Sequence, residues 1–225
     1  VNLYGANRLE TRLADGSPIA LEQETDYPWG GEILIRIAEA PAAEFSLSLR
    51  IPAWARGANV SVNGEAAAAA SGGAGPAPGS YFEIRRAWRA GDTVALVLPL
   101  KPRILLAHPL VEESRNQAAV MRGPIVYCLE SADLPEGVGI SEILLPSDAR
   151  FAEEKGSGQL AGMMVLACEG ARFGALAGAP SVGQALYREL GDPAIEPMPL
   201  RFVPYFAWDN RGEGEMTVWL PIKWA

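Results

Sequence analysis

Residues 45–51, Phe-Ser-Leu-Ser-Leu-Arg-Ile, alternate without exception: Phe45, Leu47, Leu49 and Ile51 fall on one face, Ser46, Ser48 and Arg50 on the other. A period of two marks a strand with one buried face. Pro52 has no N–H to give and ends the ladder. Glu32–Ile37 reads as a second strand, approached through Gly30-Gly31. Val60-Ser61-Val62 runs into Asn63-Gly64, a dipeptide that tolerates positive φ and favours a tight hairpin turn. Tyr81–Arg85 resumes strand structure. The turn Arg89-Ala90-Gly91-Asp92 then feeds a further strand over 93–100. Between these segments, residues 65–80 are low in complexity; the five-alanine run is too short for a stable helix and is read as a loop at a hairpin tip.

The second half is patterned less clearly. Gln117–Met121 and Ile125–Leu129 are apolar strands separated by Arg122-Gly123-Pro124, and residues 162–168 form another. The rest of 131–200 is rich in Gly and Pro. At the end, 201–208 and 215–220 read as two aromatic strands joined through 209–214 as a hairpin. No helical pattern exceeds two turns. The expected fold is all-β, two consecutive antiparallel β-sandwich, jelly-roll-like domains over 1–107 and 108–225.

Composition narrows the function. Nineteen Lys and Arg face 27 Asp and Glu, a net charge of −8, so there is no basic stripe to neutralise phosphates, and nucleic acid is not an expected partner. The acidity equally disfavours an anionic membrane surface, and no apolar run approaches the roughly 18 residues of a spanning helix. His108 is the single histidine, which removes histidine-based triads and multi-histidine metal sites and reads as structural. Cys128 and Cys168 read as free buried thiols. The Gly-rich stretches 72–75 and 156–158 lack the lysine and the strand–helix setting of a phosphate loop. The chain opens Val-Asn-Leu-Tyr, without an initiator Met or a signal-type segment, and reads as a piece of a longer protein. The compartment stays unassigned, with a bacterial cytoplasm the favoured setting.

Six tryptophans and six tyrosines in an acidic β protein point to sugar or interface contacts. The best cluster is the Pro-restrained loop 22–29, which joins Glu24 and Asp26 to Tyr27 and Trp29. Trp54 and Trp88 lie beside turns and are read as caps of the first domain, leaving Trp29 and Trp208 as candidate platforms. The competing reading buries Tyr27 and Trp29 in the domain's own core. Asp209, Asn210, Glu213 and Glu215 supply oxygen donors without the ordered spacing of a calcium loop.

Several segments together resemble one family. Leu49-Arg50-Ile51-Pro52-Ala53-Trp54, then Val60-Ser61-Val62-Asn63-Gly64, then Trp88-Arg89-Ala90-Gly91-Asp92 look like β-domains that trail certain glycosidases. Residues 23–29 (QETDYPW), 122–128 (RGPIVYC) and 205–212 (YFAWDNRG) narrow the likeness to the C-terminal part of glycoside hydrolase family 127, the β-L-arabinofuranosidases. The resemblance implies that catalysis belongs to an N-terminal α/α barrel with a cysteine nucleophile beside a zinc held by cysteines and a glutamate. The paired-cysteine motif is absent, and Cys128 and Cys168 match none of those positions, so no catalytic residue, metal ligand or cofactor is assigned to this chain.

The partners implied are the chain's own barrel domain, a second copy in a homodimer, or an arabinose-containing oligosaccharide. The sites to watch are Asp26, Tyr27, Trp29 and Trp208. A carbohydrate-binding module stays open, as does a self-contained hydrolase using Glu24 or Asp26, which would need two acids flanking one cleft.

Overall fold

The computed structural model describes residues 1–70, 72, 75–173 and 194–224. Among them every regular element is a strand or a three-residue 3₁₀ turn, and no helix is long and apolar enough to cross a membrane. The chain divides into two compact units, Val1–Lys101 and Pro102–Ala225.

The first unit holds β1 (Asn7–Arg12), β2 (Pro18–Thr25), β3 (Glu32–Glu39), β4 (Phe45–Ile51), β5 (Asn59–Val62), β6 (Glu65–Ala66), β7 (Ser80–Arg86) and β8 (Thr93–Val97). Six of these form an antiparallel sheet in the order β1-β2-β3-β8-β5-β6, and β4 pairs with β7 apart from it. The alternation in β4 does what its period dictates: Leu47, Leu49 and Ile51 are buried. They share one core with Ile33, Ile35 and Ile37 of β3, Val94 and Leu96 of β8, and Phe82 and Ile84 of β7. Each such side chain contributes about 1.5–3 kcal/mol by leaving water. Trp88 is buried in the same core; its Nε1 donates to the Phe45 carbonyl at 3.1 Å, and the Arg86 guanidinium lies 5.3 Å from its ring centre.

Asn63 and Gly64 take φ of 52° and 85°, the paired positive values of a tight hairpin turn between β5 and β6. The turn is tied to the one before β8. Asn63 Nδ2 donates to Asp92 Oδ1 at 2.8 Å, and the Thr93 N–H donates to Asn63 Oδ1 at 2.8 Å. The hydrogen bond from Asn63, joined by one from the Arg89 N–H, holds the Asp92 carboxyl below its usual range. Residues 65–80 are not a hairpin tip, because β6 closes the six-stranded sheet while β7 belongs with β4. Glu22–Thr25 lie in β2 rather than in a loop.

The second unit comprises β9 (Pro102–Leu106), β10 (Gln117–Arg122), β11 (Ile125–Glu130), β12 (Ile143–Pro146), β13 (Ala152–Lys155), β14 (Met164–Phe173), β15 (Ile195–Pro204), β16 (Met216–Thr217) and β17 (Leu220–Lys223). Here the sheet closes: β11, β15, β14, β12, β17 and β10 pair in succession, and β10 returns to β11. The result is a six-stranded barrel, antiparallel except for β12 against β17, in place of the sandwich expected here. Closure leaves these six strands no open sheet edge. Val120, Tyr127, Leu129, Leu145, Leu166, Phe202 and Leu220 are buried, and the Tyr127 hydroxyl donates to the Met164 carbonyl at 2.9 Å.

Three further expectations shift. β9 pairs along β10 from Arg122↔Pro102 to Ala118↔Leu106, so residues 102–106 belong to the second unit and the division falls ahead of 107. The 201–208/215–220 hairpin does not form. β15 stops at Pro204, a 3₁₀ turn follows over Tyr205–Ala207, and β16 pairs with β11, not with β15. Of the short strand expected at 162–168, residues 164–168 are the first part of ten-residue β14, and 162–163 precede it.

Candidate functional site

The loop after β2 is built by local hydrogen bonds. Thr25 Oγ1 donates to the Glu32 carbonyl at 2.6 Å and accepts from the Tyr27 N–H at 3.0 Å, and the Trp29 N–H donates to the Asp26 carbonyl at 3.0 Å. The Tyr27–Pro28 peptide is cis. Asp26 is exposed, and its carboxylate folds over Gly30, where a Cβ would lie 1.9 Å from Oδ1. Tyr27 is half-buried, packs on the core and meets Tyr4 edge-on with ring centres 6.2 Å apart; burial raises its phenol pKa. Trp29 is also half-buried. Glu24, Asp26 and Glu32 rim an open groove of about 680 Å³ floored by Leu34, Ala95 and Val97, and the Arg36 guanidinium lies 3.6 Å from Glu24. Trp54 is half-buried on the core, and Trp88 is too deeply set to serve as a platform.

Trp208 belongs to the other unit, on a turn held by an ion cluster around Arg211. Arg211 Nε donates to Glu130 Oε2 at 3.0 Å and Nη1 to Asp133 Oδ1 at 2.9 Å, and Nη2 reaches both carboxylates. Arg201 Nη1 adds a 3.2 Å contact to Asp133. These hydrogen bonds, Asp133 first, raise the Arg211 pKa above its already high value. Glu130 Oε1 accepts the Asp209 N–H at 3.0 Å, and Asn210 Nδ2 donates to the Ala207 carbonyl at 3.1 Å. Ser131 Oγ accepts from the Glu215 N–H, while the Ser131 N–H donates to the Glu215 carbonyl. On this fixed backbone Tyr205, Phe206 and Trp208 are 44%, 60% and 38% exposed. Glu130 at the end of apolar β11 was the one available signal, because a carboxylate that deep in a barrel needs a cation.

Asp209 and Glu215 thus serve the loop through their backbone groups, and Asn210 through its side-chain amide. Among the described residues no three His, Cys, Asp or Glu side chains gather in a way that could hold a metal. The cysteines do not fit the zinc that the family resemblance implies. Both are buried and unpaired; burial pushes Cys128 up to about 12 and Cys168 up to about 11, the opposite of what a thiolate ligand needs. His108 is exposed, and its Nδ1 accepts from the Leu110 N–H at 3.2 Å, closing a turn.

The two units coincide with two known domains. Residues 1–100 match the middle domain of glycoside hydrolase family 127, described as a β-L-arabinofuranosidase domain, and residues 102–221 match the family's C-terminal domain. A non-reducing end β-L-arabinofuranosidase of Bifidobacterium longum subsp. longum is 32% identical over 214 residues, 90% of this chain but 30% of that protein. Among solved structures, a glycoside hydrolase is 40% identical with a TM-score of 0.85, covering 98% of this chain and 35% of its own. A family 127 β-L-arabinofuranosidase from Geobacillus stearothermophilus T6 is 37% identical with a TM-score of 0.83, over 98% and 33% of the two chains. The chain spans about a third of the length of these relatives. With both units matched in sequence order, and whole-chain likeness to solved members, the chain belongs to glycoside hydrolase family 127.

Proposed function

We propose that this chain is the non-catalytic β portion of a family 127 glycoside hydrolase, stabilising a catalytic domain that lies outside these 225 residues. One observation carries the reading: the chain corresponds to the middle and C-terminal domains of a family whose members are about three times as long. Its own chemistry agrees, since both thiols are buried and held protonated. Hydrolysis of β-L-arabinofuranosides, the activity named for the relatives, is then the work of the longer protein, and any zinc is held there.

In this arrangement the first unit is a two-layer sandwich of the six-stranded sheet over β4 and β7, and Tyr27-Pro28-Trp29 faces the catalytic domain near its cleft. Half-burial of both rings supports this placement, because each keeps surface for a partner. The test is an assay of the 225-residue chain, with added zinc, on an aryl β-L-arabinofuranoside beside the full-length gene product. Turnover by the full-length protein alone is expected. Turnover by the short chain, lost on mutating Glu24 or Asp26, would overturn the reading.

A carbohydrate-binding role is the second reading, favoured by the exposed ring of Trp208. Calorimetric titration with arabino-oligosaccharides tests it, and absence of heat at millimolar sugar would remove it.

A further inference from the structure

We propose that the turn Tyr205–Arg211 is a preformed docking surface for the part of the same protein that lies outside these 225 residues, and that Arg211 is its positioning residue. The proposal rests on the reading that a further domain exists.

The turn combines a fixed backbone with the exposed side chains of Tyr205 and Trp208. Ala207 is the inward peg, buried with Cys128, Leu160, Val165 and Val203. In a 3₁₀ turn residues three apart lie one above the other, so Tyr205 and Trp208 share a side. Four hydrogen-bonded contacts hold this shape: Asp209 to Glu130, Asn210 to Ala207, and Arg211 to Glu130 and Asp133. Burying three charges to fix a surface turn adds little stability over an apolar substitute. What it does supply is a turn with little freedom left to lose, which lowers the entropic cost of docking. Exposed Tyr and Trp rings beside an arginine whose charge is already neutralised match the composition of interface cores.

The occupant follows from length. The relatives match this chain over 30–35% of their own residues, so most of each relative lies elsewhere and is available within the same molecule. A sugar is less suited to the turn, because its nearest buried carboxylates, Glu130 and Asp133, are occupied by Arg211 and the Asn210 amide by Ala207.

Hydroxyl-radical footprinting of the full-length gene product, read by mass spectrometry and paired with light scattering, tests this. Tyr205 and Trp208 are expected to oxidise at least about tenfold more slowly than in the urea-unfolded protein, at concentrations where the protein is monomeric, as for rings in an interface core. In Arg211→Met, well below its melting temperature, that protection should fall severalfold; a purely structural role would lower the melting temperature and leave protection unchanged, which would overturn the positioning role. Trp208→Ala removes only a partly exposed ring and should raise oxidation of Tyr205 even if Arg211→Met does not fold. Rings as reactive as in the unfolded protein, protection confined to a dimer, or protection that appears only with added arabino-oligosaccharide would each overturn the proposal. A gene product no heavier than these 225 residues would instead remove the reading beneath it.

Discussion

The guanidinium of Arg211 meets the carboxylate of Glu130 across 81 positions of chain, with Nε 3.0 Å from Oε2. Both side chains are largely shielded from water, as is the second carboxylate on the same guanidinium, Asp133. Removing the cation leaves Glu130 beside a second carboxylate, Asp133, which keeps its contact with Arg201, in a site that water reaches poorly. Arg211→Met should therefore cost about 3 kcal/mol, the scale of a broken buried ion pair. Glu130→Gln should cost less, about 1 kcal/mol, because Arg211 keeps Asp133 and the amide oxygen can still accept the Asp209 N–H. Urea unfolding of the two variants beside the parent checks the order.

Gly31 is the second sensitive point. A Cβ built there lies 2.0 Å from the Leu98 carbonyl oxygen, and the Leu98 N–H donates to the Gly31 carbonyl at 2.8 Å. The obstacle is backbone, so no side chain can swing aside. Gly31→Ala should destabilise the first unit by about 1–3 kcal/mol, as overpacking does. Gly5→Ala, where a Cβ meets nothing within 4 Å, should be close to neutral. Thermal melts of the pair make the comparison.

Trp29 tests the placement of its loop. If the half-buried ring is covered by the catalytic domain, Trp29→Ala should cost the full-length enzyme about 2–4 kcal/mol. On the proposed reading, turnover per folded molecule should be unchanged. A loss of kcat with no loss of stability would instead assign the ring to substrate.

How much of this was legible depended on whether a residue's period showed. β4 was fully readable because its inward faces alternate with polar ones. Asn63-Gly64 and Arg89–Asp92 were each readable as turns, but the bond between Asn63 and Asp92 depends on the pairing of β5 with β8, which no local pattern encodes. β1 and β13 are exposed along their whole length and show no apolar face to find. β15 was hidden because its first half, with Pro197 and Pro199, falls in the weakly patterned Gly- and Pro-rich stretch. The strand tolerates them because β11 flanks it only at 202–204, so proline nitrogens turned away from β14 forfeit no ladder bond. The barrel itself was invisible, since closure needs β17 to join β10 and β12 across long stretches of chain. At the candidate site the aromatic rings were readable as residue types, while the ion cluster that positions Trp208 was not.

The last prediction concerns alkaline pH. Cys128 and Cys168 have folded-state pKa values of about 12 and about 11, against an ordinary thiol value of 9.0, with burial the leading cause for both. Glu130 adds a like-charge push at Cys128. Raised pKa values mean the folded protein holds these protons while the unfolded chain releases them. The stabilisation is therefore complete below pH 9 and declines as pH climbs through 9 toward 12. Each thiol that ionises only in the unfolded state removes up to about 1.4 kcal/mol per pH unit in that window. Tyr127, raised to about 12 by burial, joins the decline once pH passes its ordinary value of 10.0. Cys128→Ala should flatten the fall between pH 9 and 10, where Tyr127 contributes little, even though the substitution costs some packing at every pH. Urea midpoints at pH 8, 9 and 10 for the parent and the variant read the slopes directly. At pH 8 neither thiol should react with a disulfide reagent until the protein is unfolded; rapid labelling of the native state would show that the thiols are not shielded as this structure has them.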